Sequence, residues 1–163
     1  MKIIRLNTDR IELLSDYLHD ADLYKEDISF DSTNKLLILQ VWRAYIEDPR
    51  RKKVLFIVPF VSYPKIETIL RIHPVTAVDI EYVHEQARDR RYRLTLTSFS
   101  RSGSGIVVKT DGIILRAFTT NDVVFELHDT SSPSHKRGIV DLFMNDQGNE
   151  YILTEIKKYM LDV

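Results

Sequence analysis

The chain has 163 residues, no cysteine and a formal net charge of −1. A chain of this length is typical of one domain, and the absence of cysteine excludes thiol catalysis, cysteine-ligated zinc, iron–sulfur clusters and disulfides. Because the charge is nearly balanced, there is no overall attraction to nucleic acid or to an anionic membrane, and such binding needs a local basic patch.

The first predicted element is an amphipathic helix over about residues 9–18. Ile11, Leu14 and Leu18 recur at spacings of three and four residues, behind the capping side chains of residues 7–9. We expect this helix to end near His19.

A β-hairpin is predicted next. Residues 28–30 alternate between apolar and polar, residues 31–34 read DSTN, and residues 36–42 are apolar on both faces. This pattern indicates two strands around a four-residue turn. Since both faces of the second strand are apolar, we expect it to be central in a sheet.

The following stretch combines a charged segment with a buried strand. Residues 47–53 read EDPRRKK and favour a loop, and residues 54–61 are apolar and favour a strand. Pro59 cannot donate to a ladder, which places this end of the strand at an edge or a bulge. For residues 64–73 a short helix and a strand remain equally compatible with the pattern.

Two runs of period two follow. Residues 78–82 and 92–96 both alternate between apolar and polar, which predicts a hairpin with one wet face, joined by residues 84–91. Residues 101–105 read RSGSG, which is typical of a turn.

The last third of the chain is predicted to be mostly β-structure. Residues 106–118 form a hairpin around the Asp-Gly pair at 111–112, the strongest short-range hairpin signal in the chain. Residues 123–128 favour a strand, and the polar residues 129–138 favour an exposed loop. Residues 149–161 predict an amphipathic C-terminal helix.

These elements predict a single α+β domain over residues 1–163. Its core is a mainly antiparallel β-sheet of about eight strands, with one helix near the N-terminus and one at the C-terminus. An open sheet of this kind has free edges, so we also expect that the chain is able to form a homo-oligomer by edge pairing.

The first candidate site is the sequence HDAD at residues 19–22. His19, Asp20 and Asp22, together with a remote histidine, suit a metal-dependent phosphohydrolase, and a second His-Asp pair occurs at 128–129. However, the chain around the second pair is strand, whereas phosphohydrolases of the His-Asp type are helical. We therefore interpret His19 and Asp20 as the polar end of the helix, and predict no metal and no other cofactor.

The second candidate site is basic. One cluster covers residues 50–53, and the other consists of Arg88, Arg90, Arg91, Tyr92 and Arg93. Arginines around an aromatic residue are able to contact phosphate and stack on a base, so a nucleic-acid-associated protein is an alternative function. Nearby carboxylates oppose it because they cancel part of the positive field. They are Glu47, Asp48, Glu85 and Asp89.

The location of the protein is predicted from its apolar runs. The first ten residues, MKIIRLNTDR, lack the long apolar run of a signal peptide. The longest apolar run, at residues 54–61, contains a proline and is too short to cross a bilayer. We therefore predict a cytoplasmic protein that does not span a membrane.

Residues 17–41, YLHDADLYKEDISFDSTNKLLILQV, resemble the opening of several small bacterial families of unknown function. Some of these families are immunity-protein-like. The shared step is an apolar residue, His, Asp and then Ala or Ser, followed by two apolar strands. Many of these families end in a strand pair, whereas this chain is predicted to end in a helix. The resemblance implies a binding protein without catalytic residues.

The sequence therefore favours a non-enzymatic protein-interaction module, immunity- or adaptor-like, whose partner is another protein. The expected contact surface consists of the loops that carry His19, Asp20 and Asp22, and of the arginine-rich segment 88–93.

Overall fold

The computed structural model describes residues 3–47, 50–54, 58–119, 122–141 and 146–161, and it describes side chains in these ranges except within 50–62 and 134–147. The two helices are α1 (Ile11–Leu18) and α2 (Asp146–Lys157). The strands are β1 (Ile3–Asn7), β2 (Asp22–Tyr24), β3 (Ile28–Asp31), β4 (Leu36–Ala44), β5 (Arg50–Val54), β6 (Val58–His73), β7 (Ala77–Tyr82), β8 (Arg93–Ser102), β9 (Gly105–Thr110), β10 (Ile113–Phe118), β11 (Val124–Asp129), β12 (Ser134–Asp141) and β13 (Met160–Leu161).

The described strands form one antiparallel sheet. Its main path runs in the order β13-β1-β11-β6-β4-β2-β8-β9-β10-β7. The long strand β6 organises one half, because its first part pairs with β5 and β12 and its second part pairs with β4 and β11. The other half is a meander of β8, β9 and β10 that ends with β7 at the edge.

The core lies on one face of the sheet, where buried residues form rows across neighbouring strands. One row joins Leu6 of β1, Phe125 of β11, Ile72 of β6 and Leu37 of β4, and each of these side chains is at most 1% exposed. A parallel row of buried side chains lies one pleat further along. It consists of Ile4, Leu127, Leu70 and Leu39.

Both helices pack through apolar residues. Helix α1 buries Leu14, Tyr17 and Leu18, and α2 buries Ile156. The amphipathic pattern predicted for both segments is thus explained by this packing. Neither described helix has the length and apolar composition that a membrane span requires.

Several sequence predictions are confirmed. A helix ends at Leu18 before His19, and the strands at 28–31 and 36–44 pair across a turn, as predicted for the first hairpin. The hairpin around Asp111-Gly112 is β9–β10. The mainly antiparallel sheet with two helices is the predicted α+β architecture.

The predicted number of about eight strands is too low, since the described residues contain thirteen. The helices also do not occupy the ends of the fold. β1 precedes α1, and the two-residue strand β13 follows α2 and pairs with β1. A strand as short as β13 has no recognisable pattern in the sequence, because only pairing with its neighbour makes it a strand. Helix α2 begins three residues earlier than predicted, at Asp146.

The predicted hairpin between residues 78–82 and 92–96 is wrong. β7 pairs with β10, and β8 pairs with β2 and β9. A 3-10 turn at Glu85–Arg88 separates the two strands and redirects the chain. The alternating pattern identified both strands correctly, but alternation does not specify the partner of a strand.

Two predicted loops are strands as well. The basic residues 50–53 belong to β5, and most of the polar segment 129–138 belongs to β12 or to the end of β11. Both segments pair with β6 as edge strands. This backbone pairing makes them strands although their polar composition favours a loop. The ambiguous segment 64–73 is strand throughout, as part of β6.

Candidate functional site

The structure places His19 and Asp20 on the surface at the end of α1. Nδ1 of His19 lies 3.2 Å from Oδ2 of Asp20, and the two side chains are 56% and 66% exposed. Asp20 has φ 61°, in the left-handed region, and its N–H donates to the carbonyl of Leu96. Aspartate tolerates this conformation better than most residues, which explains its place at the helix end.

Asp22 contacts other residues than His19 and Asp20. Its carboxylate accepts a hydrogen bond from Nζ of Lys65, and it lies 4.0 Å from Nε of Arg93. Its charge is therefore already matched by two cations. Across the residues that the structure describes, no group of three or more histidine, aspartate and glutamate side chains is placed to hold a metal ion.

The side chains of the second His-Asp pair, His128 and Asp129, lie on opposite faces of strand β11. Successive strand residues face opposite sides of a sheet. Asp129 faces the core side and joins a buried network, whereas Nε2 of His128 lies 3.9 Å from Oε2 of Glu126 on the other side. This doublet therefore does not form one site.

A buried charged network lies where the apolar rows end. Arg43 follows the buried alternation of β4, and its side chain is 0% exposed. Its Nη2 lies 3.1 Å from Glu47 and 3.1 Å from Asp129. The ring of Tyr17 covers the guanidinium, with Cζ 4.3 Å from the ring centroid, and the Tyr17 hydroxyl donates to Glu47 at 2.7 Å.

The hydrogen-bonding capacity of Arg43 is fully used. Nε donates to Oγ1 of Thr68 at 3.1 Å, and Nη1 donates to the carbonyl of Ala44 and to Glu47. Nη2 donates to Glu47 and Asp129. Because a guanidinium has five N–H donors and no acceptor, none remains for a ligand. The network is a structural tie between α1, β4, β6 and β11.

The charge of Glu47 depends on this tie. Burial by itself raises the pKa of Glu47, but the attraction of Arg43 and the hydrogen bonds from Arg43 and Tyr17 outweigh it, so the pKa lies below its ordinary value. Burial also raises the pKa of Tyr17 well above its usual range, which keeps its hydroxyl protonated as a donor.

We expect Glu47 to make the fold sensitive to acid. Since its folded pKa is lowered, the folded state holds fewer protons, and the stabilisation is complete above the unfolded pKa of about 4.3. It is lost as the pH falls through the folded pKa. Urea unfolding between about pH 3 and pH 7 should show a weaker fall of stability on the acid side in Glu47→Gln than in the wild type. Equal slopes in the two proteins would contradict this role.

The arginine loop, residues 85–93, is the second site and it is open to solvent. It starts with the 3-10 turn at Glu85–Arg88, which is anchored by the fully buried side chain of Ala87. The carboxylate of Asp89 accepts the N–H of Arg91 at 2.9 Å, and Tyr92 N–H donates to the carbonyl of Asp89. These two bonds restrain the backbone of residues 89–92.

Aromatic rings support the base of the arginine loop. Two cations lie over the ring of Tyr82, with Nζ of Lys25 4.8 Å and Cζ of Arg88 5.4 Å from its centroid. The rings of His84 and Tyr92 meet edge to face at 5.2 Å. Cations that lie over aromatic faces are attracted by the ring quadrupole, so Lys25 and Arg88 have a preferred orientation.

The charge of the arginine loop is unbalanced. Residues 85–93 contain four arginines, one glutamate and one aspartate. Arg88 pairs with Glu85 at 3.5 Å and Arg93 with Asp22 at 4.0 Å. Arg90 and Arg91 are exposed, and neither forms an ion pair with any residue that the structure describes.

The predicted site residues thus lie in two places. Arg88, Arg90, Arg91, Tyr92 and Arg93 lie together, Asp22 joins them through Arg93, and His19 and Asp20 form a separate surface pair. For the other basic cluster, at 50–53, the side chains lie outside the described part of the chain.

Sequence reasoning missed the Arg43 network. The only hint in the sequence was that Arg43 shares a strand face with Leu37, Leu39 and Val41, and the structure shows that this face is buried.

Comparison with models of protein families, with curated proteins and with solved structures found no match. The function is therefore inferred from the geometry of the arginine loop.

Proposed function

We propose that the protein is a non-enzymatic interaction module of the cytoplasm, immunity- or adaptor-like, that binds an acidic surface of a partner protein through the arginine loop. The observation that carries this proposal is the exposed pair Arg90 and Arg91, which has no carboxylate partner within the described residues. Arginine and tyrosine are enriched at protein interfaces, where arginine forms bidentate bonds to carboxylates.

The rigidity of the loop supports the same proposal. Ala87 anchors it in the core, and the hydrogen bonds of Asp89 fix the backbone that carries both arginines. A preformed loop needs little ordering on binding, so more of its contact energy contributes to affinity.

The surroundings favour a protein partner over nucleic acid. Glu85, Asp89 and Asp22 lie within or beside the arginine loop, and a phosphate backbone would be repelled by them. A protein surface is able to offer carboxylates to the arginines and cations to these acidic side chains.

Capture of the partner from extract of the source cells tests the proposal. The wild type, the variant Arg90→Glu/Arg91→Glu and the control Arg101→Glu/Lys109→Glu would each be tagged and used with and without nuclease. The control changes two exposed cations on β8 and β9 and alters net charge by the same amount. We expect one stoichiometric protein, retained by the wild type and the control after nuclease treatment.

The affinity for that purified protein should fall by about tenfold or more in Arg90→Glu/Arg91→Glu, and little in the control. Binding that disappears with nuclease would replace the proposal with nucleic-acid association. An equal loss in both variants would show that only net charge matters, and the absence of a retained protein would contradict a protein partner.

A further inference from the structure

Strand β7 is an edge strand of the sheet, and one side of its backbone faces no described strand. Among the described strands, β7 pairs with β10 alone. Val83 N–H donates to the carbonyl of the opposite residue, Gly112, at 2.9 Å. Because the bonds of an antiparallel ladder alternate, residues 79 and 81 also bond to β10, and at the other end of the strand Thr76 N–H donates to the carbonyl of Phe118 at 2.8 Å. Val78, Ile80 and Tyr82 therefore direct their N–H and C=O groups outward.

The wet face of this edge carries two carboxylates. Asp79 and Glu81 are exposed and lie on the same face of β7. Arg116 of β10 pairs with both of them, at 3.8 Å and 2.8 Å. One cation therefore serves two carboxylates, and the edge keeps a negative charge on its open side.

An exposed apolar residue lies at each end of this acidic pair. Val83 is 56% exposed and directly follows β7, and Phe118 is 42% exposed and lies opposite Ala77. They are two of the four large hydrophobic side chains that are exposed in the described part of the chain. Since Ala77 is small, a long side chain on an added strand would reach over it to Phe118.

A second copy of the chain does not suit this edge. In the antiparallel registers that overlap most of β7, Asp79 faces Asp79 or Glu81 of the other copy. Like charges that are directly opposite in a sheet are destabilising. Formation of the homo-oligomer expected from free edges is thus disfavoured at β7. A strand that carries positive charges opposite Asp79 and Glu81 fits this edge better.

We infer that β7 accepts an extended segment of another protein as an added strand, with lysine or arginine opposite Asp79 and Glu81. On the face that carries Asp79 and Glu81, apolar side chains of that segment cover Ala77 and Val83. On the opposite face, the side chains of the segment are β-branched or aromatic and lie beside Val78, Ile80 and Tyr82. Backbone hydrogen bonds supply the affinity and the charge pattern supplies the specificity. This inference does not depend on the arginine loop.

The test uses the synthetic peptide LVKVKVL, whose sequence reads the same in both directions and therefore fits either strand orientation. Hydrogen exchange of the backbone amides would be followed by NMR in the wild-type protein. At a peptide concentration of about ten times Kd, we expect exchange at Val78, Ile80 and Tyr82 to slow by about tenfold. The charge-reversed peptide LVEVEVL, and LVKVKVL with N-methylated amides, should give no protection.

The variant Asp79→Lys/Glu81→Lys should reverse the preference and bind LVEVEVL. Failure of LVKVKVL to protect these amides in the wild type would overturn the inference even if the variant does not fold. Equal protection by both charged peptides, or shifts confined to residues 85–93, would also overturn it. Protection that rises with protein concentration without peptide would assign the edge to a second copy instead.

Discussion

Replacement of Arg43 by methionine is expected to lower the free energy of unfolding by about 3–5 kcal/mol. The side chain of Arg43 is 0% exposed, and the carboxylates of Glu47 and Asp129 beside it are 7% and 10% exposed. Methionine keeps most of the volume but leaves both carboxylates buried without a cation. The cost comes mainly from these unpaired charges, since a satisfied buried ion pair adds little by itself.

Urea unfolding at neutral pH measures this effect. The control is Arg5→Met, because Arg5 is 52% exposed and its ion pair with Glu126 at 3.4 Å should contribute at most about 1 kcal/mol. The triple variant with Glu47→Gln and Asp129→Asn should regain part of the lost stability. A change below about 1 kcal/mol in Arg43→Met would mean that water or a rearrangement relieves the carboxylates.

The variant Phe125→Ala should lose about 3–5 kcal/mol of stability. Phe125 is 0% exposed and occupies the middle of the buried row, between Leu6 of β1 and Ile72 of β6. Neighbours held in a hydrogen-bonded sheet cannot collapse far into the space left by the ring, so the cavity term adds to the lost transfer free energy.

Phe118→Ala is the matched control for this variant, since Phe118 is also on a strand but is 42% exposed. We expect its stability to change by about 1 kcal/mol or less, as for most surface substitutions. Equal midpoints of urea unfolding for the two variants would show that the row around Phe125 repacks. Thermal unfolding would provide an independent measure of the same difference.

The parts of the fold that sequence predicted are those determined over a few residues. The helical spacing from Ile11 to Leu18 and the Asp-Gly turn at 111–112 act locally, and both elements are present. The pairing of β7 with β10 was not predictable in this way. It depends on how distant strands share a core, and the alternation of residues 77–82 is compatible with any antiparallel neighbour.

The arginine loop and the Arg43 network show the same distinction. The arginine loop was visible because its residues are consecutive, so their proximity needed no knowledge of the fold. The partners of Arg43 come from α1, from the residues after β4, from β6 and from β11, and only the sheet register brings them together. The burial of Arg43 was not predicted either, because residues 36–42 are apolar on both faces and the buried face of β4 is identified only by the structure.

The position of β1 has a consequence for synthesis on the ribosome. Among the described strands β1 is made before the others, yet the two strands that pair with it there, β11 and β13, are made after most of them. Strands β3 and β4 follow each other in the chain and are able to pair early. Ile4 and Leu6 of β1 each belong to a buried row that lacks its residue from β11 until late in synthesis. Closure of this side of the sheet is therefore a late, long-range step, and the unfinished chain exposes apolar surface to chaperones until it occurs.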